Sequence, residues 1–119
     1  MVQVRFYINK GQLCLKVEGH ANAGPKGEDV VCAGASVLAA TLADTVTLMR
    51  AHGELEKDPY IKMDTGHAVI KARPTENGKG KLLLAFGMIA TGMSAIARNY
   101  PRFITLQLFE KADIEAYSK

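Results

Sequence analysis

The 119-residue chain has little of what crosslinks or rigidifies small extracellular domains: it contains two cysteines, four prolines and no tryptophan. Cys14 and Cys32 alone cannot form a disulfide framework. Apolar residues make up 48% of the chain and charged residues 23%, which excludes a collagen-like, disordered or coiled-coil chain. At this length, a single hydrophobic core is expected to hold one domain together without crosslinks.

Long apolar runs are also lacking. The longest, Leu82 to Ala97, is interrupted by glycine, threonine and serine and falls short of the ~20 residues that cross a bilayer, so we expect no membrane span. The first eight residues lack the basic start and apolar block of a secretory signal. We therefore expect a cytoplasmic protein whose thiols stay reduced.

The excess of positive charge is small, with 15 Lys and Arg against 12 Asp and Glu, a net charge of +3. These charges are spread along the chain without a basic run, so they do not by themselves predict a nucleic-acid surface. The basic pI near 8.9 and the small size are still compatible with a non-enzymatic ribosome-assembly or RNA-adjacent factor. That class stays open as the alternative to an enzyme.

Alternation of apolar and polar residues predicts five strands. Two hairpins are expected, one around Asn9-Lys10-Gly11-Gln12 and one around Thr65-Gly66, and a last strand follows. The predicted strands are Val2–Ile8, Leu13–Val17, Tyr60–Asp64, His67–Arg73 and Phe103–Phe109.

Apolar residues at spacings of three and four predict two helices. The first begins at Asp29, a good N-cap residue, and ends at His52-Gly53. The second runs from about Lys81 to Asn99, with Leu84, Met88 and Ile96 widening its apolar stripe.

The resulting order is ββαββαβ. It predicts an α/β (α+β) two-layer sandwich in which both helices cover one face of a five-stranded mixed sheet. Residues 1–109 form one domain, and the charged tail 110–119 is either a short helical turn or frayed.

The stretch from Gly19 to Ser36 holds the candidate chemistry. It places His20 where a strand ends and Cys32 in the first turn of the next helix. Because that helix must pack back onto the sheet, the two side chains can meet beside a cleft. A helix N-terminus and a nearby imidazolium both favour the reactive thiolate. Asp29 is either a plain N-cap or a group that also orients His20.

Other interpretations of these residues remain. Cys32 can be a small buried residue on an apolar helix face, and Cys14, in mid-strand, is expected to be structural. A zinc site built on His20 and Cys32 lacks ligands at short spacing, and a redox pair of Cys14 with Cys32 lacks the C-x-x-C spacing. The glycine-rich loop lacks the phosphate-binding signature G-x-x-x-x-G-K-[ST]. We therefore expect no metal and no cofactor.

The sequence Gly-His-Ala, a glycine-rich loop and then Asp-Val-Val-Cys-Ala-Gly-Ala-Ser resembles the ribosomal-processing cysteine protease family. The resemblance implies that Cys32 is the nucleophile and His20 the general base and acid. Asp29 and Ser36 match supporting positions of the family. Gly19, Gly24 and Gly27 belong to the glycine-rich loop, and we expect its segment from Ala21 to Glu28 to act as a lid over the peptide. N–H groups at the helix start are expected to stabilise the oxyanion.

The family resemblance also implies a substrate. It is the N-terminal extension of a large-subunit ribosomal protein, number twenty-seven in the bacterial series, removed during ribosome maturation. The implied enzyme is a homodimer that needs no cofactor, no membrane and no direct contact with nucleic acid.

Overall fold

The computed structural model describes the backbone of residues 1–19 and 26–119 and the side chains of residues 1–19 and 30–119. Its elements follow the predicted ββαββαβ order and add one short helix in the tail. They are β1 (Val2–Asn9), β2 (Gln12–Glu18), α1 (Lys26–Ala51), β3 (Tyr60–Asp64), β4 (His67–Ala72), α2 (Lys79–Asn99), β5 (Ile104–Gln107) and α3 (Lys111–Tyr117).

The five strands form one mixed sheet, as predicted, in the order β3-β4-β2-β1-β5. All neighbouring strands are antiparallel except β1 and β5, which are parallel. Strands β3 and β5 are therefore the edges. The long α1 connection carries the chain from β2 over the sheet to the β3 edge, and α2 returns it to β5.

The first hairpin fixes which side chains enter the core. Lys10 and Gly11 both have positive φ, 51° and 79°, the backbone geometry that matches a two-residue turn to the twist of its strands. The turn pairs Phe6 with Leu15. As a result Val2, Val4, Phe6, Leu13, Leu15 and Val17 share one buried face of the sheet.

Helices α1 and α2 pack side by side on that face and complete a single core. Gly34 lies against Ile96 and Gly92 against Leu38, so the two helices run antiparallel. A Cβ atom on Gly92 would lie 2.8 Å from Cδ2 of Leu38. The absence of a side chain there lets the helix axes approach closely.

The expected widening of the α2 apolar stripe is wrong for Leu84 and Met88, whereas Ile96 packs against the core. Leu84 and Met88 are 65% and 64% exposed, because the sheet covers one side of α2 and α1 covers the adjacent side, which leaves these two residues facing outward. The buried residues of α2 are Leu82, Phe86, Ile89, Ala90 and Met93.

Two helical segments, Val30–Ala51 and Lys79–Asn99, are long and apolar enough to cross a membrane by length and composition alone. The expectation of no span rested on the longest uninterrupted run, whereas this criterion averages over a whole helix. Helices that share a core with a sheet pass the same test, and both segments do so here. Their outward faces nevertheless leave an unusually apolar surface.

The tail is helical and attached to the domain. Phe109 contacts Phe6 and Phe86, with ring centroids 5.6 and 6.2 Å apart. Tyr117, 7% exposed, donates its hydroxyl to the Lys79 carbonyl at the start of α2, 2.9 Å away. Burial raises the pKa of Tyr117 to about 12, so the hydroxyl keeps its proton to high pH.

We predict that Tyr117→Phe lowers the free energy of unfolding by about 1 kcal/mol, because it removes this hydrogen bond. Urea titrations at pH 7 measure the change. Since the pKa is raised on folding, the contribution is full below pH ~10 and is lost as pH rises toward 12. Tyr60→Phe, at a position 53% exposed, is the control, and equal stability of wild type and Tyr117→Phe would contradict the prediction.

Candidate active site

A cavity of about 330 Å³ opens between α1 and the turn that joins β3 to β4. Small and apolar residues dominate its lining. They are Val2, Val17, Gly19, Cys32, Ala33, Ala35, Ser36, Ala39, Met63, Asp64, Thr65, Gly66, His67 and Ala68. Two of the residues singled out from sequence for catalysis, Cys32 and Ser36, therefore meet in one groove.

Cys32 and Ser36 are four residues apart, so they project from the same side of α1, one turn from each other. Cys32 is half-buried and Ser36 is exposed. The hydroxyls of Thr41 and Thr45 each donate to the carbonyl four residues back, whereas Ser36 makes no such bond with any residue whose side chain is described. Its proton is available to a group in the groove.

The predicted start of α1 is wrong. The helix begins at Lys26, so Asp29 is its fourth residue rather than its N-cap, and Cys32 is its seventh. Acidic residue types are favoured in a first helical turn, so Glu28-Asp29 supports an earlier start as well as it supports a cap.

This earlier start changes the expected electrostatics of the thiol. Only the first four N–H groups of a helix lack helical partners, so the amide of Cys32 is engaged within α1. The helix dipole acts mainly on the first turn. The amide of Cys32 is therefore not among the N–H groups at the helix start that were expected to stabilise the oxyanion.

Gly19 forms the other end of the groove. Its φ is +106°, and its N–H donates to the Gly66 carbonyl in the β3–β4 turn over 3.0 Å. A Cβ atom at this position would lie 2.1 Å from the carbonyl oxygen of Met1. Gly19 is therefore enclosed between the first strand and the turn, and His20 is the next residue in the sequence.

Three of the predicted site residues cannot be placed in the groove. His20 and Gly24 lie outside the described residues, as does the side chain of Asp29. Gly27 was expected in the loop, but its backbone is helical and belongs to α1. The prediction of a lid reaching to Glu28 is wrong from Lys26 onward, because these residues form the first turn of the helix.

The second wall of the groove was not identified from sequence. The β3–β4 turn supplies Thr65 and Gly66, and the adjoining strand ends supply Met63, Asp64 and His67. The predicted turn at Thr65-Gly66 gave its position in the chain, but only the strand order brings it beside α1. His67 also lies near Glu18, with Nε2 and Oε1 3.9 Å apart.

Cys14 is structural, as expected. It is 1% exposed, its thiol points toward the Gln12 carbonyl at 3.7 Å, and burial raises its pKa. Strand alternation places it on the sheet face opposite Leu13 and Leu15, whereas Cys32 lies on the helical side. Both thiols are free, and this placement argues against a redox pair.

An accessible thiol beside a hydroxyl, in a groove along an α+β sandwich, is an arrangement suited to a cysteine hydrolase. The model of the cysteine protease Prp family matches residues 1–105. The chain belongs to this family and is a cysteine protease.

Solved structures share the fold. The ribosomal processing protease Prp from S. aureus, in complex with a substrate peptide, is 24% identical with a TM-score of 0.68, covering 92% of this chain and 100% of that one. SMU.848 from Streptococcus mutans is 26% identical with a TM-score of 0.65, covering 92% and 96%. A hypothetical protein from Staphylococcus aureus is 18% identical with a TM-score of 0.54, covering 92% and 100%. No curated protein matches the chain.

We predict that Gly19→Ala destabilises the protein by roughly 1–3 kcal/mol or more, since alanine is strained at positive φ and would meet the Met1 carbonyl. Urea unfolding provides the measurement. Gly87→Ala is the matched control: this helical glycine has open space around it, so alanine should leave stability unchanged or raise it by about 0.5–1 kcal/mol. Equal effects of the two substitutions would refute the assigned constraint at Gly19.

Proposed function

We propose that this cysteine protease removes the N-terminal extension of a large-subunit ribosomal protein, number twenty-seven in the bacterial series, during ribosome maturation. The observation that carries the proposal is the half-buried Cys32 in the groove between α1 and the β3–β4 turn. The S. aureus relative, a ribosomal processing protease bound to a substrate peptide, supports the substrate class.

The lining of the groove suits an extended, apolar peptide. On the α1 side the small side chains of Ala33, Ala35 and Ala39 leave room in the groove. On the opposite side Met63 contributes an apolar surface. Strand β3 is an edge strand with every residue exposed, so its outer backbone groups can pair with an extended peptide.

In the proposed reaction, the Cys32 thiolate attacks the scissile carbonyl carbon and forms a tetrahedral intermediate. The C–N bond then breaks as protonated His20 gives its proton to the leaving amine, which leaves a thioester on Cys32. Water, deprotonated by His20, attacks the thioester and releases the new carboxyl group and the thiolate. The chemistry uses side chains and water and requires no cofactor.

The supporting residues take roles that fit the observed helix. Ser36, one turn beyond Cys32, donates its free hydroxyl to the oxyanion, because the amide of Cys32 is engaged within α1. Asp29, which does not cap the helix, acts as the group that orients His20. A thiolate nucleophile requires a reducing compartment, so we place the reaction in the cytoplasm.

We predict that Cys32→Ala lowers the cleavage rate by about three orders of magnitude or more, since the nucleophile is lost. Mass spectrometry of the precursor ribosomal protein, incubated with each variant, measures cleavage. Cys14→Ala is the matched control, because it removes the other thiol from a site outside the groove and should retain activity. Full activity of Cys32→Ala would disprove the assignment.

The homodimer is likewise a proposal, and the outward faces of α1 and α2 support it. Between residues 30 and 49 the only charged residue is Asp44, and between residues 82 and 97 there is none. Val37, Leu48, Leu84 and Met88 are each at least 60% exposed, and we call these four residues the outer helix patch. Four exposed apolar side chains of this size on two adjacent helices favour an interaction surface.

A second copy of the chain is the occupant that the patch fits. Two adjacent helices, with segments of about 25–30 Å that carry Asp44 as their one charged residue, present a footprint of about 500 Å². Because side chains protrude from the helices, the accessible area of this surface is larger than its flat footprint and approaches the ~800 Å² per partner of a standard interface. The patch lacks the opposing charges that would select a charged partner.

We predict that Met88→Glu shifts the protein from dimer to monomer while preserving the fold, because it places a charge in the outer helix patch. Size-exclusion chromatography with light scattering gives the mass. Leu108→Glu, at an exposed position outside the helices, should remain dimeric. A monomeric wild type, or a Met88→Glu protein that remains dimeric, would rule out this interface.

A further inference from the structure

The sheet face away from the helices, which we call the open face, carries charges in an ordered pattern. Strand pairing aligns Lys62, Val69, Lys16 and Arg5 in one row across four strands. The next row toward the first hairpin turn contains Tyr60, Lys71, Cys14 and Tyr7 in the same strand order. Four cations and two tyrosines therefore occupy one half of this face.

Two acidic residues lie in the row on the other side of Lys62 and Lys16. That row contains Asp64, His67, Glu18 and Gln3. Lys16 pairs with Glu18 at 2.9 Å and Lys62 with Asp64 at 3.7 Å, so the central row is largely balanced by its acidic neighbours. The hydrogen bond and charge of Lys16 lower the pKa of Glu18.

Arg5 and Lys71 differ from these lysines. Neither is within ion-pair distance of a carboxylate in the described part of the chain. Each lies over an aromatic ring instead, Arg5 above Tyr7 at 4.6 Å and Lys71 above Tyr60 at 5.8 Å from the centroid. We call these four residues the cation–aromatic pairs.

The cation–aromatic pairs are accessible. Arg5 and Tyr60 are exposed, Tyr7 and Lys71 are half-buried, and α1 and α2 pack on the other face. Near Arg5 and Tyr7, a second cavity is also lined by the acidic residues Glu110 and Asp113, so the accessible side of this pair is the one away from α3. A shallow cavity of about 340 Å³ lies beside Arg5 and Lys16, and Glu18 contributes to its wall. The charge and the rings are thus available to a partner rather than used in the core.

We propose that the cation–aromatic pairs bind single-stranded RNA. A sheet that offers aromatic rings to bases and cations to phosphates is a recurrent solution for single strands. Tyr7 and Tyr60 are three strands apart, about 14 Å at ~4.8 Å per spacing, so they can stack on different bases of one strand. An acidic peptide would use the cations but has no need of both rings.

RNA binding on the open face does not depend on peptide cleavage in the groove. The cation–aromatic pairs lie on the opposite side of the sheet from α1, and none of them lines the cavity that contains Cys32. The two activities can therefore fail separately. RNA bound here would hold the protease near a ribosomal particle and is not required for the chemistry.

The test is fluorescence anisotropy of a labelled single-stranded RNA decamer, titrated with the full chain at several salt concentrations. We expect Arg5→Gln/Lys71→Gln to weaken binding about tenfold and to reduce the slope of log affinity against log salt by about 1.4, at ~0.7 per phosphate contact. Tyr60→Leu should weaken binding about fivefold, the low end of the range for one stacked base. Cleavage of the precursor protein should be unchanged in Arg5→Gln/Lys71→Gln, because neither residue belongs to β3 or lines the groove that contains Cys32.

The matched control is Lys57→Gln/Lys119→Gln, which removes two positive charges outside the sheet. It should bind RNA nearly as well as wild type. Absence of binding, an equal loss in the control pair, or no effect of Tyr60→Leu would overturn the proposal. Equal competition by duplex RNA or by polyglutamate would also overturn it, since both supply negative charge without accessible bases.

Discussion

The burial of one apolar sheet face under α1 is the interaction on which the rest of the structure depends. Val31, Ala35 and Leu42 are at most 1% exposed, and they fix the rotation of α1 about its axis. With that rotation fixed, Cys32 and Ser36 must project sideways into the groove. The small residues at Gly34 and Gly92 let α2 lie close against α1 and hold it from the other side. The packing of the core therefore also determines the geometry of the candidate site.

The elements with a strong local pattern were predictable from sequence. The Lys10-Gly11 turn and the alternation around it defined the first hairpin, and the spacing of apolar residues defined both long helices. The start of α1 was not predictable, because Glu28-Asp29 satisfies a cap and a first turn equally well. The exposure of Leu84 and Met88 depends on which sides of α2 are covered, which a hydrophobic stripe alone cannot specify.

The candidate site follows the same division. Cys32 was identifiable because its residue type and its neighbours resemble a known motif, whereas the wall formed by Met63 and Gly66 depends on strand order. The cations of the open face are dispersed in sequence and converge only through cross-strand register, since Arg5, Lys16 and Lys62 come from three strands. The net charge of +3 therefore does not indicate that the folded chain gathers its cations on one part of the sheet.

The central claim is that Cys32 is the reactive thiol and that the groove presents the peptide to it. The most direct measurement is intact-mass and peptide-mapping analysis after treatment with a chloromethyl ketone of the substrate peptide's sequence. We expect one adduct per chain, on Cys32, formed in step with loss of cleavage activity, while Cys14 stays unmodified. An adduct on another residue, or full activity in chains labelled at Cys32, would contradict the claim.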